Sequence, residues 1–346
     1  MLIMSQYAFF EQRLGFYREV AFENLLSVLP SREPKRYFYD LLPEYPKRSG
    51  KGLRAALCLA TCLAYGGRIQ DALNSAVAIE LFHNGFLVHD DIQDESVFRR
   101  GKDTLYTEHG VGVAINVGNA LNLLSLQVLM KNQTQLGSKL AWQLFSESSE
   151  MLRQTLEGQA LELGWIRDNV CNLSDRDYLR LALKKTAWYT CIYPCRAGGL
   201  IATGGGVNPD RFYRFGWFLG VAFQIQDDLL NLVGHYGQYG KEIGGDLWEG
   251  KRTLMLIHLL NNCSLQEKAD LVAILALSRP ERTEAQIQWI YEMMTQYGSI
   301  AFGRQCARQF AGAALYEFRN AYGHLPDSDD KRFILEMILY MIEREC

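Results

Sequence analysis

Between residues 88 and 102 the sequence VHDDIQDESVFRRGK crowds charges of both signs into one short stretch. Asp90, Asp91 and Asp94 come first, and the twin arginines Arg99 and Arg100 follow. On a helix Asp90 and Asp94 share one face a turn apart, with Asp91 rotated about 100° away. Carboxylates so close repel one another and call for cations. An oxygen-only donor set suits magnesium, which keeps several waters and shares its shell with phosphate oxygens. A calcium loop is excluded, because its glycine and its alternating acidic positions are missing. Taken alone, the stretch fits a solvated, salt-bridged helix end equally well.

A second cluster changes that balance. FQIQDDLLN, residues 223–231, carries Asp227, Asp228 and Asn231 at the same spacing, again at the end of an apolar run. Cationic residues are scattered around the two clusters. They are Lys51 and Arg54 in GKGLR, Lys185 beside Thr186 in LKKTA, and Lys241 and Lys251 in KEIGGDLWEGKRT. Two carboxylate groups with several separate cations describe a cavity that binds a polyanion twice, such as two diphosphates.

The elements that must position these groups read as helices. Apolar residues recur at helical spacing in GKGLRAALCLATCLAYGG, INVGNALNLLSLQVLMKN and KLAWQLFSESSEMLRQTLEGQALELGW. Glycine pairs punctuate their ends, the chain has only eight prolines, and no alternating strand pattern of useful length appears. ATGGGVNPD reads as a helix-to-helix loop, since no strand precedes it. Segments 76–88 and 215–225 are apolar on nearly all faces, which places them inside a bundle. The expectation is one all-α domain over residues 1–346, with 1–49 an N-terminal helical segment of the same domain.

Composition narrows the function. The 346 residues are 48% hydrophobic with a net charge of −3, and no basic stripe exists to bind nucleic acid. No apolar run reaches membrane-spanning length, and the start of the chain lacks the pattern of a secretory leader. The eight cysteines show neither disulfide nor zinc spacing. Reduced, buried thiols and a cytoplasmic location are expected.

From about Gly50 onward the chain resembles the trans-isoprenyl diphosphate synthases, the polyprenyl synthetase family. GKxxR, ELFHNGFLVHDDIQDES with RRG, EGQALEL, KTA, FQIQDD and EGKRT occur in family order. The resemblance implies an isoprenoid-synthase-type helical bundle around a central cavity, a homodimer and Mg²⁺, three ions once diphosphate is bound. It implies Asp90, Asp94 and Asp227 as metal ligands, with Asp91 and Asp228 supporting. Arg99, Lys185, Gln224, Lys241 and Lys251 correspond to the allylic diphosphate site. Lys51, Arg54, His83 and Arg100 correspond to the isopentenyl diphosphate site. The implied reaction ionises the allylic C–O bond, and the double bond of isopentenyl diphosphate attacks the cation. Lys185, Thr186 and Gln224 carry the catalytic expectation. The Thr186 hydroxyl, the Gln224 amide oxygen and a backbone carbonyl freed by a helix break near Lys185 would stabilise the cation.

Three departures from the family pattern stand out. Asn231 replaces an aspartate, Asp103 and Tyr106 replace a proline and a histidine after RRG, and Asn119 replaces a frequent aspartate. Phe86 lies one turn before Asp90 and Phe82 a further turn down, with Gly85 between them. These three positions are expected to floor the cavity and to limit the product to geranylgeranyl diphosphate (C20), with farnesyl diphosphate (C15) next. A terpene cyclase or other-acceptor prenyltransferase would lose the second diphosphate pocket. A non-catalytic partner subunit would lose an aspartate cluster. Both features are intact.

Overall fold

Long stretches poor in proline and broken by glycine fold into helices in the computed structural model, which describes residues 7–48, 50–233 and 244–343. In the first half α1 is Ala8–Val28, α2 Glu44–Lys47, α3 Leu53–Ala64 and α4 Ile69–Gln93. After a hairpin come α5 Leu105–His109, α6 Val111–Met130, α7 Asn132–Leu136 and α8 Ser138–Arg167. The second half holds α9 Asp175–Ala182, α10 Tyr193–Ala202, α11 Tyr213–Val233 and α12 Gly245–Glu249. It closes with α13 Leu254–Asn262, α14 Leu265–Leu275, α15 Glu284–Gln296, α16 Ser299–Tyr322 and α17 Asp329–Glu343. Among the described residues the β-structure is one short hairpin, β1 Phe98–Arg99 paired with β2 Lys102–Asp103. Lys241 and Arg344 lie outside the described residues.

The all-α expectation holds, and the two segments without a polar face are the inner helices. In α4 nearly every residue from Ser75 to Gly85 is buried, because α1, α3, α6 and α10 surround it. α11 is enclosed by α16, α17 and the π-helix Leu183–Ile192 that joins α9 to α10. Residues 203–208 form the helix-to-helix loop expected of the glycine run. Cys58, Cys62, Cys191 and Cys195 are buried and unpaired, and burial pushes the Cys195 thiol up to about 12.

Two glycines set backbone distances that the site depends on. A Cβ at Gly158 of α8 would fall 2.3 Å from the backbone nitrogen of Lys185, so only glycine lets α8 close against the π-helix. A Cβ at Gly85 of α4 would fall 2.5 Å from Asn122 Oδ1 and 3.0 Å from the Gly118 carbonyl. Gly85 therefore faces the crossing with α6. It is not part of a cavity floor, which corrects the expectation made for it.

Candidate active site

Both carboxylate clusters reach one cavity of about 670 Å³. Asp90, at the end of α4, and Asp227 and Asp228, at the end of α11, all line it. So do Lys51, Arg54, His83, Arg99, Arg100, Lys185, Thr186, Gln224 and Lys251. Every described cation and polar group that the sequence singled out for substrate contact thus faces a single space. The two inner helices deliver their acidic residues to it.

Around the first cluster the roles separate. Asp91 does not line the cavity; it is fully buried and its carboxylate accepts from the Tyr45 hydroxyl and from Arg99. Arg99 Nε sits 2.8 Å from Asp91 Oδ1, and its Nη2 lies 3.7 Å from Asp90 Oδ2. Arg48 adds a contact to the Arg99 carbonyl at 3.4 Å. The rotation of Asp91 away from Asp90 aims it into the protein, where it orients an arginine. The expected supporting contact of Asp91 to metal is corrected accordingly. Burial raises the Asp91 carboxyl above the ordinary range, against the pull of Arg99.

Asp94, expected as a metal ligand, follows the last residue of α4 and does not line the cavity; its side chain is 3% exposed and turned to Lys251. Lys251 donates to it at 2.6 Å, and Lys251 also lies 2.5 Å from Glu249 and 3.8 Å from Asp246. Burial and then the charge of Asp90 push the Asp94 carboxyl up to about 7, although Lys251 opposes them. Lys185 pairs with Glu162 of α8 and lies 3.7 Å from Asp90. Burial opposes the charge of Lys185, but Glu162 and Asp90 hold its pKa above the usual lysine range.

The second cluster is tied by hydrogen bonds. Asp228 accepts from Tyr178 at 2.7 Å and from Gln224 Nε2 at 2.6 Å. Burial raises its carboxyl well above the ordinary range, and Asp246 adds to the effect. The same bond fixes the Gln224 amide, whose oxygen accepts from Thr186 at 2.5 Å. Thr186 belongs to the π-helix, the break in α-geometry expected near Lys185. Asn231 does not line the cavity. Its Oδ1 accepts the Asp246 N–H at 3.0 Å, so the neutral amide anchors α12 to α11.

At the other end, Arg54 Nη1 lies 3.4 Å from His83 Nε2, and Nη2 donates to the Tyr189 hydroxyl at 2.7 Å. The guanidinium also stacks 4.3 Å over the Tyr189 ring. Arg100 takes a positive φ of 54° and, with Gly101 at 73°, forms the two-residue turn of the β1–β2 hairpin. That turn sends Arg99 and Arg100 toward different neighbours, Asp91 and Gly50.

The expected floor is reordered. Phe82 and Phe86 contact each other edge-on at 4.3 Å, and Phe86 stacks on Tyr189 at 6.3 Å. Tyr189 lines the cavity, whereas the two phenylalanines stand behind it. Tyr189, Glu162, Tyr178, Asp246 and Glu80 are the residues that sequence reasoning missed. Glu162 was visible inside EGQALEL, but its partner Lys185 is remote in sequence.

Asp90, Asp227 and Asp228 offer oxygen-only carboxylates to the cavity, a donor chemistry that fits magnesium. The comparisons with known proteins bear on the family and the fold. The family described as polyprenyl synthetase matches residues 35–294. A geranylgeranyl diphosphate synthase of Mycobacterium tuberculosis is 32% identical over 305 residues, covering 86% of this chain and 81% of its own. The structure of geranylgeranyl pyrophosphate synthetase from Pyrococcus horikoshii superposes with a TM-score of 0.86 at 26% identity, over 99% of this chain and all of that one. A polyprenyl synthase from Caulobacter crescentus, crystallised with calcium and isoprenyl diphosphate, gives 0.83 at 25% identity, over 97% and 98% of the two chains.

Proposed function

The chain belongs to the polyprenyl synthetase family, and from that premise we propose that it condenses isopentenyl diphosphate with an allylic diphosphate, releasing geranylgeranyl diphosphate. The observation that carries this reading is the meeting of both aspartate clusters and two separate cation groups in one cavity. A cyclase needs only one diphosphate site; this cavity is furnished for two.

Asp90, Asp227 and Asp228 would hold Mg²⁺, which when bound neutralises the allylic diphosphate and favours its departure. Arg99, held by Asp91, and Lys185 and Lys251, held by Glu162 and Asp94, place positive charge where the leaving diphosphate gains negative charge. The Gln224 oxygen and the Thr186 hydroxyl offer fixed dipoles to the allylic cation. Lys51, Arg54, His83 and Arg100 seat isopentenyl diphosphate, whose double bond attacks that cation. Loss of one proton, to the released diphosphate, restores a neutral alkene. Leu87, Leu181 and Phe223 line the same space and exclude water from the cation.

The proposal includes a homodimer in the cytoplasm. Residues 111–136 are long and apolar enough to cross a membrane by length and composition, yet they lie across α4 with one face packed. Val111, Ile115, Leu123 and Met130 are exposed along the other face, and Trp142 of α8 is 70% exposed beside them. Such a face suits a second copy of the chain. Support for the cytoplasm comes from the unpaired, buried cysteines.

The test is incubation with labelled isopentenyl diphosphate, Mg²⁺ and each of the C5, C10 and C15 primers. Label is expected in linear C20 diphosphate. Release of an unlabelled cyclic hydrocarbon, with no label incorporated, would overturn the synthase reading.

A further inference from the structure

Four polar side chains that line the cavity form one hydrogen-bonded chain. The Tyr178 hydroxyl, from α9, donates to Asp228 Oδ2 at 2.7 Å. Gln224 Nε2 donates to the other oxygen of the same carboxylate, Oδ1, at 2.6 Å. The Thr186 hydroxyl donates to Gln224 Oε1 at 2.5 Å. Tyr178, Asp228 and Thr186 are buried, so little water competes for these bonds. α9 runs directly into the π-helix, which puts Tyr178 and Thr186 on one helical run, eight residues apart (186 − 178). Gln224 and Asp228 are one turn apart on α11. The chain thus leaves the α9–π-helix run at Tyr178, crosses to α11 and returns at Thr186.

The chain has a direction. Asp228 accepts at both oxygens, so Gln224 meets it through the amide nitrogen and turns the amide oxygen toward Thr186. The single hydroxyl proton of Thr186 is committed to that oxygen, and the Thr186 lone pairs are left for the cavity. An amide turned the other way would donate to Thr186 and aim the hydroxyl proton at the cavity, the wrong pole for a cation. We propose that Tyr178 is a positioning residue for the condensation: by anchoring Asp228 from α9 it fixes this direction, so that Gln224 and Thr186 present oxygen lone pairs to the allylic cation. The inference rests on the synthase reading of the cavity. Tyr178 touches neither Gln224 nor Thr186 through these bonds and acts on both through Asp228. Without its hydroxyl, Asp228 is held only by Gln224, a neighbour on its own helix, and the pair can turn together.

Two measurements test this. The first is the nuclear magnetic resonance spectrum of the metal-free full chain carrying isotope-labelled glutamine. The side-chain amide signal of Gln224, identified by its loss in Gln224→Glu, is expected to move in Tyr178→Phe. The second is steady-state kinetics with Mg²⁺. Tyr178→Phe should lower kcat about tenfold, the scale of one hydrogen bond, with both KM values near wild type. Thr186→Val should lower kcat about 100-fold. Because the two residues act through one chain, the double variant should also fall about 100-fold, whereas independent losses would multiply to about 1000-fold. An unmoved Gln224 signal in Tyr178→Phe overturns the proposal. So does a multiplicative double variant, or a raised KM at unchanged kcat, which would make Tyr178 a binding contact instead. Replacing Tyr178 by meta-fluorotyrosine keeps the ring and strengthens the donor, which serves if Tyr178→Phe folds poorly; it should move the same signal, and no shift there overturns the proposal as well. A wild-type chain that incorporates no isopentenyl diphosphate contradicts the synthase reading itself, while the Gln224 signal still tests the chain.

Discussion

Asp90 and Asp91 are neighbours in the chain and face different ways, one into the cavity and the other into a buried network with Tyr45 and Arg99. Breaking a buried pair by removing one partner costs about 3–5 kcal/mol. Asp91→Asn is therefore expected to lower stability by about 3 kcal/mol and to raise the KM for the allylic diphosphate about tenfold through a misplaced Arg99. Affinity for isopentenyl diphosphate, measured separately, should stay near wild type. Equal loss at both substrates contradicts the positioning role. Asp90→Asn should instead lower kcat by about 100-fold or more with little change in melting temperature. Helical geometry alone separates Asp91 from Asp90, because adjacent residues on a helix differ by about 100°. The destination of Asp91 was not legible in the sequence, since Tyr45 reaches it from α2 across 46 positions.

At the scale of elements, α4, α11 and the π-helix form the cavity wall, and Gly158 brings α8 close enough for Glu162 to meet Lys185. The lack of a polar face is enough, in the sequence, to mark α4 and α11 as inner helices. The reading of Gly85 failed because chain position shows that a residue is small without showing which neighbour needs it small. Asn231 was legible as a departure from the family pattern, but its bond to the Asp246 N–H forms across the segment 234–243. The chain-length floor belongs to this scale as well. Tyr189 faces the cavity with Phe86 behind it, so Tyr189→Ala is expected to shift products beyond C20, measured at saturating isopentenyl diphosphate. Phe86→Ala alone should shift them less, because the tyrosine ring still stands in front. A larger shift from Phe86→Ala than from Tyr189→Ala would reverse the order proposed for the wall.

Across the whole molecule, the protein keeps its site cations paired with its own acids: Lys251 with Asp94, Lys185 with Glu162, and Arg99 with Asp91. On the proposed reading, metal and diphosphate meet the Lys251 and Lys185 pairs while the buried Asp91–Arg99 pair persists, so long, charged side chains are ordered before substrate arrives. The exposed stripe on α6 gives a prediction at the same scale. Leu123→Glu is expected to convert a dimer into monomers in sedimentation, and a wild-type chain that sediments as a monomer contradicts the dimer. The central claim is that one cavity seats two diphosphates at once. A non-ionisable allylic thiodiphosphate, bound first with Mg²⁺, leaves the second subsite free for titration with isopentenyl diphosphate. One isopentenyl diphosphate is expected to bind per chain without displacing the analogue; displacement of the analogue, mole for mole, would mean a single diphosphate site and contradict the account.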